Sequence, residues 1–172
     1  MQFMSIEVAA QEFLFPPIPE TSETEFFIKK VGVTNVKTEV PFSHNHLHDL
    51  ESLWWVAVWV VFYNYISNGA PSRDRSSSAL EAASDQLELA ETLFPPALDI
   101  TTRRNGFQLP TSFQDTCGQL PRNKEAICGG LDFLRRRLVE HYRLIEKRLP
   151  ESINLDSSQD DIYDGFTEVF SE

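Results

Sequence analysis

Glycine and cysteine are scarce in this chain, and their scarcity excludes several kinds of site. The 172 residues include seven glycines and two cysteines. The glycines form neither GxGxxG nor GxxxxGK(S/T), so the known phosphate-binding loops are absent. GxSxG and HExxH are absent too, and no self-contained catalytic set can be assembled. Cys117 and Cys128 match no metal or redox spacing, which favours two small buried residues in a reduced protein.

Positive charge and long apolar runs are also limited. Fifteen Lys and Arg stand against 26 Asp and Glu, giving a formal net charge of −11. Such a chain is a poor general binder of nucleic acid or anionic membranes, so we expect neither as a partner, whereas a protein partner and the oligomeric state stay open. The longest apolar run, Leu53–Tyr63, falls short of the ~20 residues that a spanning helix needs. The N-terminus does not resemble a secretory signal, which favours an intracellular protein, cytoplasmic or nuclear.

Aromatic residues, in contrast, are abundant and clustered. They make up 12% of the chain, and all three tryptophans, Trp54, Trp55 and Trp59, fall within six residues. A helix that is apolar on every face is typical of a buried central helix, which we predict at about 49–66, with a core strand as the alternative. Asp49 is the expected N-cap, and Asn68–Gly69 is the expected stop signal.

The other patterns complete a mainly α prediction of four to six helices around the central one. Gly129 and Gly130 lie within the long helix predicted at about 123–149. They either break this helix or let another helix approach it closely. Helical spacing predicts helices at about 78–94, 112–118 and 123–149, and a short docked helix within the acidic tail 151–172. The residues between are predicted as loops, at 97–110 and as an irregular insertion at 8–43 that allows one small hairpin in 26–40.

Two stretches of the sequence raise the question of metal binding. His44, His46 and His48 alternate, so in an extended chain three imidazoles face one side, as a metal site requires. A polar loop leading into a helix is the competing interpretation and the one we favour. The acidic stretch 156–165 does not fit a calcium loop, because Asp161 stands where glycine is needed.

The long predicted helix carries a basic cluster. Arg135–Arg137 and Arg143 resemble a phosphate or nucleic-acid patch, but consecutive arginines point around a helix rather than along one stripe. This favours a solvated face paired in part with the acidic tail. His141 falls on the apolar seam of the same helix, which is typical of a core or interface histidine.

Two segments of the chain together resemble a known family. Phe3–Glu7 reads FMSIE, and His48–Val56 reads HDLESLWWV. They look like the fungal-type protein kinase family, in which a GT-x-x-FMS segment precedes an HDLES or DDLES helix start. Casein-kinase-like enzymes share the second signature, and the late helix with Tyr142–Arg143 is similar to the C-terminal part of the family. The resemblance covers residues 1–7 and 44–66, and more weakly 80–170.

The resemblance implies roles for the first segment. Phe3, Met4 and Ser5 would match the end of the activation and substrate-docking loop, where typical kinases carry A-P-E. Ile6 replaces the usual proline. Glu7 would be the glutamate that pairs with a late arginine to tie the lobe together.

The resemblance also implies roles for the second segment. Asp49 would start the central helix of the large lobe and hold the backbone of the catalytic loop. Trp54, Trp55 and Trp59 would lie in that buried helix, in agreement with the prediction made from the apolar pattern alone.

By this resemblance, 1–172 is a partial domain, the C-terminal half of a kinase large lobe. The Gly-rich loop, the phosphate-binding lysine, H-R-D and D-F-G are not in the sequence. An intact family member would use ATP and Mg to phosphorylate protein Ser/Thr. We therefore predict that this chain alone is inactive and holds no cofactor, whether it represents a truncated gene model, a degraded copy or an expressed fragment. The alternative is a non-catalytic protein-interaction module built on the same helices.

Overall fold

The described part of the protein is all-helical. The structure, a computed structural model, describes residues 3–15, 42–64, 77–95, 97, 99–147 and 159–170. These ranges contain no strand, which confirms the mainly α prediction, but they hold seven α-helices rather than the four to six expected. The proposed hairpin at 26–40 lies outside them. The helices are α1 Ile6–Ala10, α2 His46–Tyr63, α3 Ser77–Leu93, α4 Ile100–Gln108, α5 Pro110–Cys117, α6 Glu125–Glu146 and α7 Gln159–Phe170, with a 3₁₀-helix at Arg122–Lys124.

The central helix α2 begins three residues before the predicted start. Asn45 is its N-cap: the Asn45 side chain accepts a hydrogen bond from the Leu47 amide at 2.9 Å. The Asn45 amide donates in return to Nδ1 of His48, also at 2.9 Å. This reciprocal pair is a capping box with histidine in place of the usual Glu or Gln. The prediction of Asp49 as N-cap was therefore wrong, because Asp49 lies inside the first turn.

The other end of α2, at Tyr63 rather than 66, is closed by distant side chains. The ammonium group of Lys124 donates hydrogen bonds to the carbonyl groups of Val61 and Asn64. The Gln86 amide donates to the Phe62 carbonyl at 2.6 Å. The last carbonyl groups of a helix have no partner within it, and a cation suits that end of the dipole. The expected stop signal at Gly69 lies outside the described residues.

The predicted loop at 97–110 was wrong, because it contains helix α4. Asp99 caps this helix by accepting hydrogen bonds from the amides of Thr101 and Thr102, at 2.9 and 3.2 Å. The Asp99 side chain also accepts from the Thr102 hydroxyl at 2.7 Å, and these bonds lower the pKa of Asp99. The helix buries Arg103 and Phe107, a pattern too sparse in apolar residues to show a helical period.

Helix α6 runs without a break through its two glycines. A Cβ atom on Gly130 would lie 2.9 Å from Cγ1 of Val169 in α7, whereas one on Gly129 would meet nothing within 4 Å. Of the two roles considered for the glycine pair, close approach of another helix is therefore the one found, and it belongs to Gly130.

The core forms around the tryptophans of α2, which packs against α1, α3 and α6. The rings of Trp54 and Trp55 are fully buried, and their centroids lie 4.7 Å apart. Nε1 of Trp54 donates to the Leu131 carbonyl in α6 at 2.8 Å. Trp59 is only half-buried. The helix is thus buried on most faces but not on all, because one face has no covering helix in the described residues.

That open face of α2 carries three large apolar side chains. Leu53, Val56 and Val60 are spaced three and four residues apart and share one side of the helix. They are 58%, 37% and 42% exposed. The prediction of a helix buried all round is corrected here, and we call these three residues the open face of α2.

Candidate functional site

The N-terminal segment is fixed against the core at the beginning of α1. The Ser5 hydroxyl caps α1 by accepting from the Val8 amide at 3.4 Å. The Phe3 ring meets Trp59 edge-on, with 5.8 Å between centroids. The Met4 carbonyl accepts from Nη1 of Arg103 at 3.1 Å. The residues expected to dock substrate, Phe3, Met4 and Ser5, are therefore held in place by contacts with α2 and α4.

Glu7 is completely buried and its partner is a histidine. Oε2 of Glu7 lies 2.7 Å from Nε2 of His48, and Oε1 accepts from the Leu14 amide at 2.7 Å. Because Nδ1 of His48 already accepts from the Asn45 amide, the ring proton sits on Nε2 and is donated to Glu7. The resemblance implied a late arginine as the partner of Glu7, and the contact with His48 corrects that expectation.

A second buried carboxylate, Glu51, joins the N-terminal segment to two helices. Its Oε1 accepts from the Ile6 amide at 2.9 Å and from Nε1 of Trp55 at 3.1 Å. Its Oε2 accepts from the Tyr142 hydroxyl at 2.8 Å. Burial raises the pKa of Glu51 to about 7, against the opposing effect of these three donors. Burial, followed by the charge of Glu51, raises the pKa of Tyr142.

A third buried acid, Glu146, lies beside Glu7 at the end of α6. Its Oε2 accepts from the Phe15 amide at 2.6 Å. Burial, then the charge of Glu7 and a hydrogen bond shared with it, raise the pKa of Glu146 to about 9. At neutral pH Glu146 is therefore protonated. We call Glu7, His48, Glu51, Tyr142 and Glu146 the carboxylate clamp.

One buried cation faces the clamp. Arg103 is 2% exposed, and its guanidinium carbon lies 4.6 Å from the Trp55 ring centroid. Burial lowers the pKa of Arg103 to about 10, while the charge of Glu51 opposes that shift. The arginine thus balances part of the negative charge of the clamp and ties α4 to the N-terminal segment.

The carboxylate clamp was missed by sequence reasoning, except for Glu7. Its acids come from three helices, and Glu7 and Glu146 are separated by more than 130 residues of chain. The residues next to Glu51 and Glu146 in sequence do not distinguish them from solvated acids. The one available signal was their position on the apolar side of a helix. Buried and mutually bonded, these groups are suited to fix the N-terminal segment rather than to react with a substrate.

The three alternating histidines do not face one side, because two of them lie in a helix. His46 and His48 belong to the first turn of α2, and the His44 ring stacks 4.8 Å from that of His48. Burial, and then the charges of His141 and His48, lower the pKa of His46. His141 itself is buried on the seam of α6. Within the described residues, no three His, Cys, Asp or Glu side chains are grouped to hold a metal ion.

Asp49 is the most accessible of the residues that the resemblance singled out. Its side chain is 76% exposed, and Oδ1 lies 3.6 Å from Nε2 of His44. An exposed carboxylate on the first turn of the central helix is free to accept hydrogen bonds from an added segment of backbone.

The three consecutive arginines of the basic cluster, Arg135–Arg137, divide into one buried and two surface side chains. Nε and Nη2 of Arg135 donate to Oδ1 of Asp132 at 2.9 and 2.7 Å, and Nη1 donates to the Phe107 carbonyl at 2.8 Å. Arg136 and Arg137 contact acids of their own helix, Asp132 and Glu140. The three arginines do point around the helix as expected, and the acidic partners found for them, Asp132 and Glu140, lie in α6.

The two cysteines, taken from sequence as unrelated residues, meet in the structure. Cys117 ends α5 and Cys128 lies near the beginning of α6. Both are free thiols, and both side chains line one pocket. Cys128 is buried as predicted, but Cys117 is only half-buried.

No family model, no curated protein and no solved structure matches this chain. In the described residues, no helix has both the length and the apolar character needed to cross a membrane.

Proposed function

We propose that this chain is the C-terminal half of the large lobe of a fungal-type protein kinase domain. Its part there would be to dock the protein substrate and to support the catalytic loop. The whole domain would transfer phosphate from ATP to Ser/Thr of proteins. One observation carries the proposal: the two segments that resemble the family, about 40 residues apart in sequence, contact each other directly. Glu7 bonds His48, and the Ile6 amide bonds Glu51.

The surface of α2 supports the same proposal. The open face of α2 is an exposed apolar stripe on the central helix of the fold. A further part of a kinase lobe would pack on such a stripe. Asp49 is exposed at the N-terminal end of that helix. By the resemblance, this carboxylate would hold the backbone of the catalytic loop.

The described residues do not fit MgATP. The acids that lie close together, Glu7, Glu51 and Glu146, are buried, and each accepts a hydrogen bond from a backbone amide of this chain. We therefore derive no phosphoryl-transfer step for these residues. Titration with MgATP in a calorimeter is expected to give no binding, and binding tighter than about 100 µM would contradict this expectation.

Complementation provides a direct test of the proposal. The chain is mixed with a separately expressed N-terminal half of a fungal-type kinase that carries the H-R-D and D-F-G motifs, and phosphorylation of a Ser/Thr protein substrate is measured. We expect activity with both halves and none with either alone. Asp49→Asn should lower the restored rate about tenfold or more, because a hydrogen bond to a charged group contributes about 1.5–3 kcal/mol.

Asp115→Asn is the matched control, since Asp115 is an exposed aspartate on α5. It should leave the restored rate unchanged. Failure of the halves to restore activity, or equal rates for the Asp49 and Asp115 variants, would argue against the proposal.

A non-catalytic protein-interaction module is the second candidate. It is favoured by the carboxylate clamp, whose acids find their partners within this one chain, as in a domain that folds alone. Thermal melting with a hydrophobic dye, together with mass measurement in solution, separates the two. A monomer with little dye binding below its transition supports the module. Dye binding by the native chain and aggregation support the larger lobe.

A further inference from the structure

Two thiols that are 11 residues apart in sequence meet where α5 and α6 join. Cys117 is the last residue of α5, and Cys128 is the fourth residue of α6. Between them the chain turns back through the 3₁₀-helix Arg122–Lys124. Both are free thiols, and each lies close enough to shift the pKa of the other.

Both thiols line one cavity of about 420 Å³. Its polar lining includes the side chains of Gln114, Arg122 and Asp132. Cys128 is 6% exposed, while Cys117 is half-buried. A small reactant therefore reaches Cys128 through this cavity.

The surroundings make the two thiols chemically different. The contact with Cys117, and then the charge of Lys124, lower the pKa of Cys128 against the effect of burial. The contact with Cys128, together with burial, raises the pKa of Cys117. Cys128 is thus the more acidic thiol of the two.

We propose that Cys117 and Cys128 form a dithiol oxidation site, which takes a hydroperoxide as oxidant and closes to an intramolecular disulfide. A low-pKa cysteine placed next to a resolving cysteine is the usual arrangement of a redox-responsive site. The site is separate from the carboxylate clamp and does not depend on the proposed kinase-lobe function.

With hydrogen peroxide the reaction proceeds in two steps. The Cys128 thiolate attacks one peroxide oxygen and the O–O bond breaks, which leaves a sulfenic acid on Cys128 and a hydroxide ion that takes up a proton. The Cys117 sulfur then attacks the Cys128 sulfur, the S–O bond breaks, and water leaves with the proton of Cys117. The two thiols lose two electrons, and peroxide is reduced to two waters.

Thiol counting by mass spectrometry tests the proposal on the full chain. The reduced chain is treated with hydrogen peroxide and then with iodoacetamide. We expect both thiols to be lost to alkylation, a mass decrease of two hydrogen atoms, and one peptide pair linked through Cys117 and Cys128. Alkylatable thiols that persist, disulfides that join separate chains, or a sulfinic acid on Cys128 without a disulfide would overturn the proposal.

Two variants then assign the roles of the sulfur atoms. Cys117→Ser should stop at a sulfenic acid on Cys128 that dimedone traps, and Cys128→Ser should leave Cys117 unoxidised under the same conditions. If Cys128→Ser is oxidised as fast as Cys117→Ser, the assigned order is wrong. The wild-type chain unfolded in urea serves as a control that requires no variant to fold, and there the disulfide should form more slowly than in the native chain.

Discussion

Replacing Glu146 by glutamine should make the protein less sensitive to alkaline pH. The pKa of Glu146 rises from 4.5 to about 9 in the folded chain, because the group is buried and lies beside Glu7. Between these values the native state holds one proton more than the unfolded state. The free energy of unfolding therefore falls as pH rises through this window and levels off above about 9.

The magnitude follows from one proton. A difference of one bound proton changes the free energy of unfolding by about 1.4 kcal/mol per pH unit. Glu51 titrates near pH 7, so Glu146 dominates this part of the slope between about pH 7 and 9. Glu146→Gln keeps an acceptor for the Phe15 amide and adds an N–H donor toward Glu7. Relative to this variant, the wild type should lose about 1.4 kcal/mol of stability for each pH unit across that window.

Urea unfolding followed by tryptophan fluorescence, repeated over this pH range, measures the difference. Glu140→Gln is the matched control, since Glu140 is a largely exposed acid on the same helix. Glu146→Ala should destabilise the protein at every pH, by about 1–3 kcal/mol, because the buried Phe15 amide loses its acceptor. A difference between wild type and Glu146→Gln that stays constant with pH would refute the reasoning, because it would mean that Glu146 does not gain its proton on folding.

Two further predictions concern helix α6. Gly129→Ala should stabilise the protein by about 0.5–1 kcal/mol, because its added methyl group meets nothing. Gly130→Ala should instead push α7 away from α6, and amide exchange in α7 should become faster. Adding Val169→Ala to Gly130→Ala should restore the slower exchange. Equal effects of the two alanines would contradict the close approach. Arg135→Leu should cost about 3–5 kcal/mol in urea unfolding, because the buried Asp132 carboxylate loses both hydrogen bonds from the guanidinium and keeps only the weaker contact with Arg136. The same change at the exposed Arg136 should cost under about 1 kcal/mol.

The sequence predicted those helices whose buried residues recur at helical spacing. The apolar run Leu53–Tyr63 gave the central helix, and the seam of α6 gave the long one. The start of α2 was not readable, because Asn45 and Asp49 are both good N-caps. The choice between them depends on His48 acting as the third residue of a capping box. Helix α4 was missed because Arg103, one of its buried residues, looks solvated in a sequence pattern.

The site was less predictable than the fold. The resemblance pointed to Glu7 and to the first turn of α2, and those two regions are in contact. The partner of Glu7 and the roles of Glu51 and Glu146 depend on contacts between residues far apart in the chain. Local periodicity carries no information on such pairs. The meeting of Cys117 and Cys128 is of the same kind, because it depends on how the 3₁₀-helix turns the chain between them.

The way α2 ends has a consequence for synthesis on the ribosome. The Lys124 ammonium group that closes the C-terminal end of α2 lies 63 and 60 residues beyond the carbonyls it binds. While the chain is being made, the central helix emerges long before this cation does, and until then the Val61 carbonyl lacks its bond to Lys124. A chain that is released from the ribosome before residue 124 should therefore have a frayed C-terminal end of α2. Its tryptophan cluster should be accessible to water. Contacts this distant in sequence also slow folding, because a long loop must close before they form.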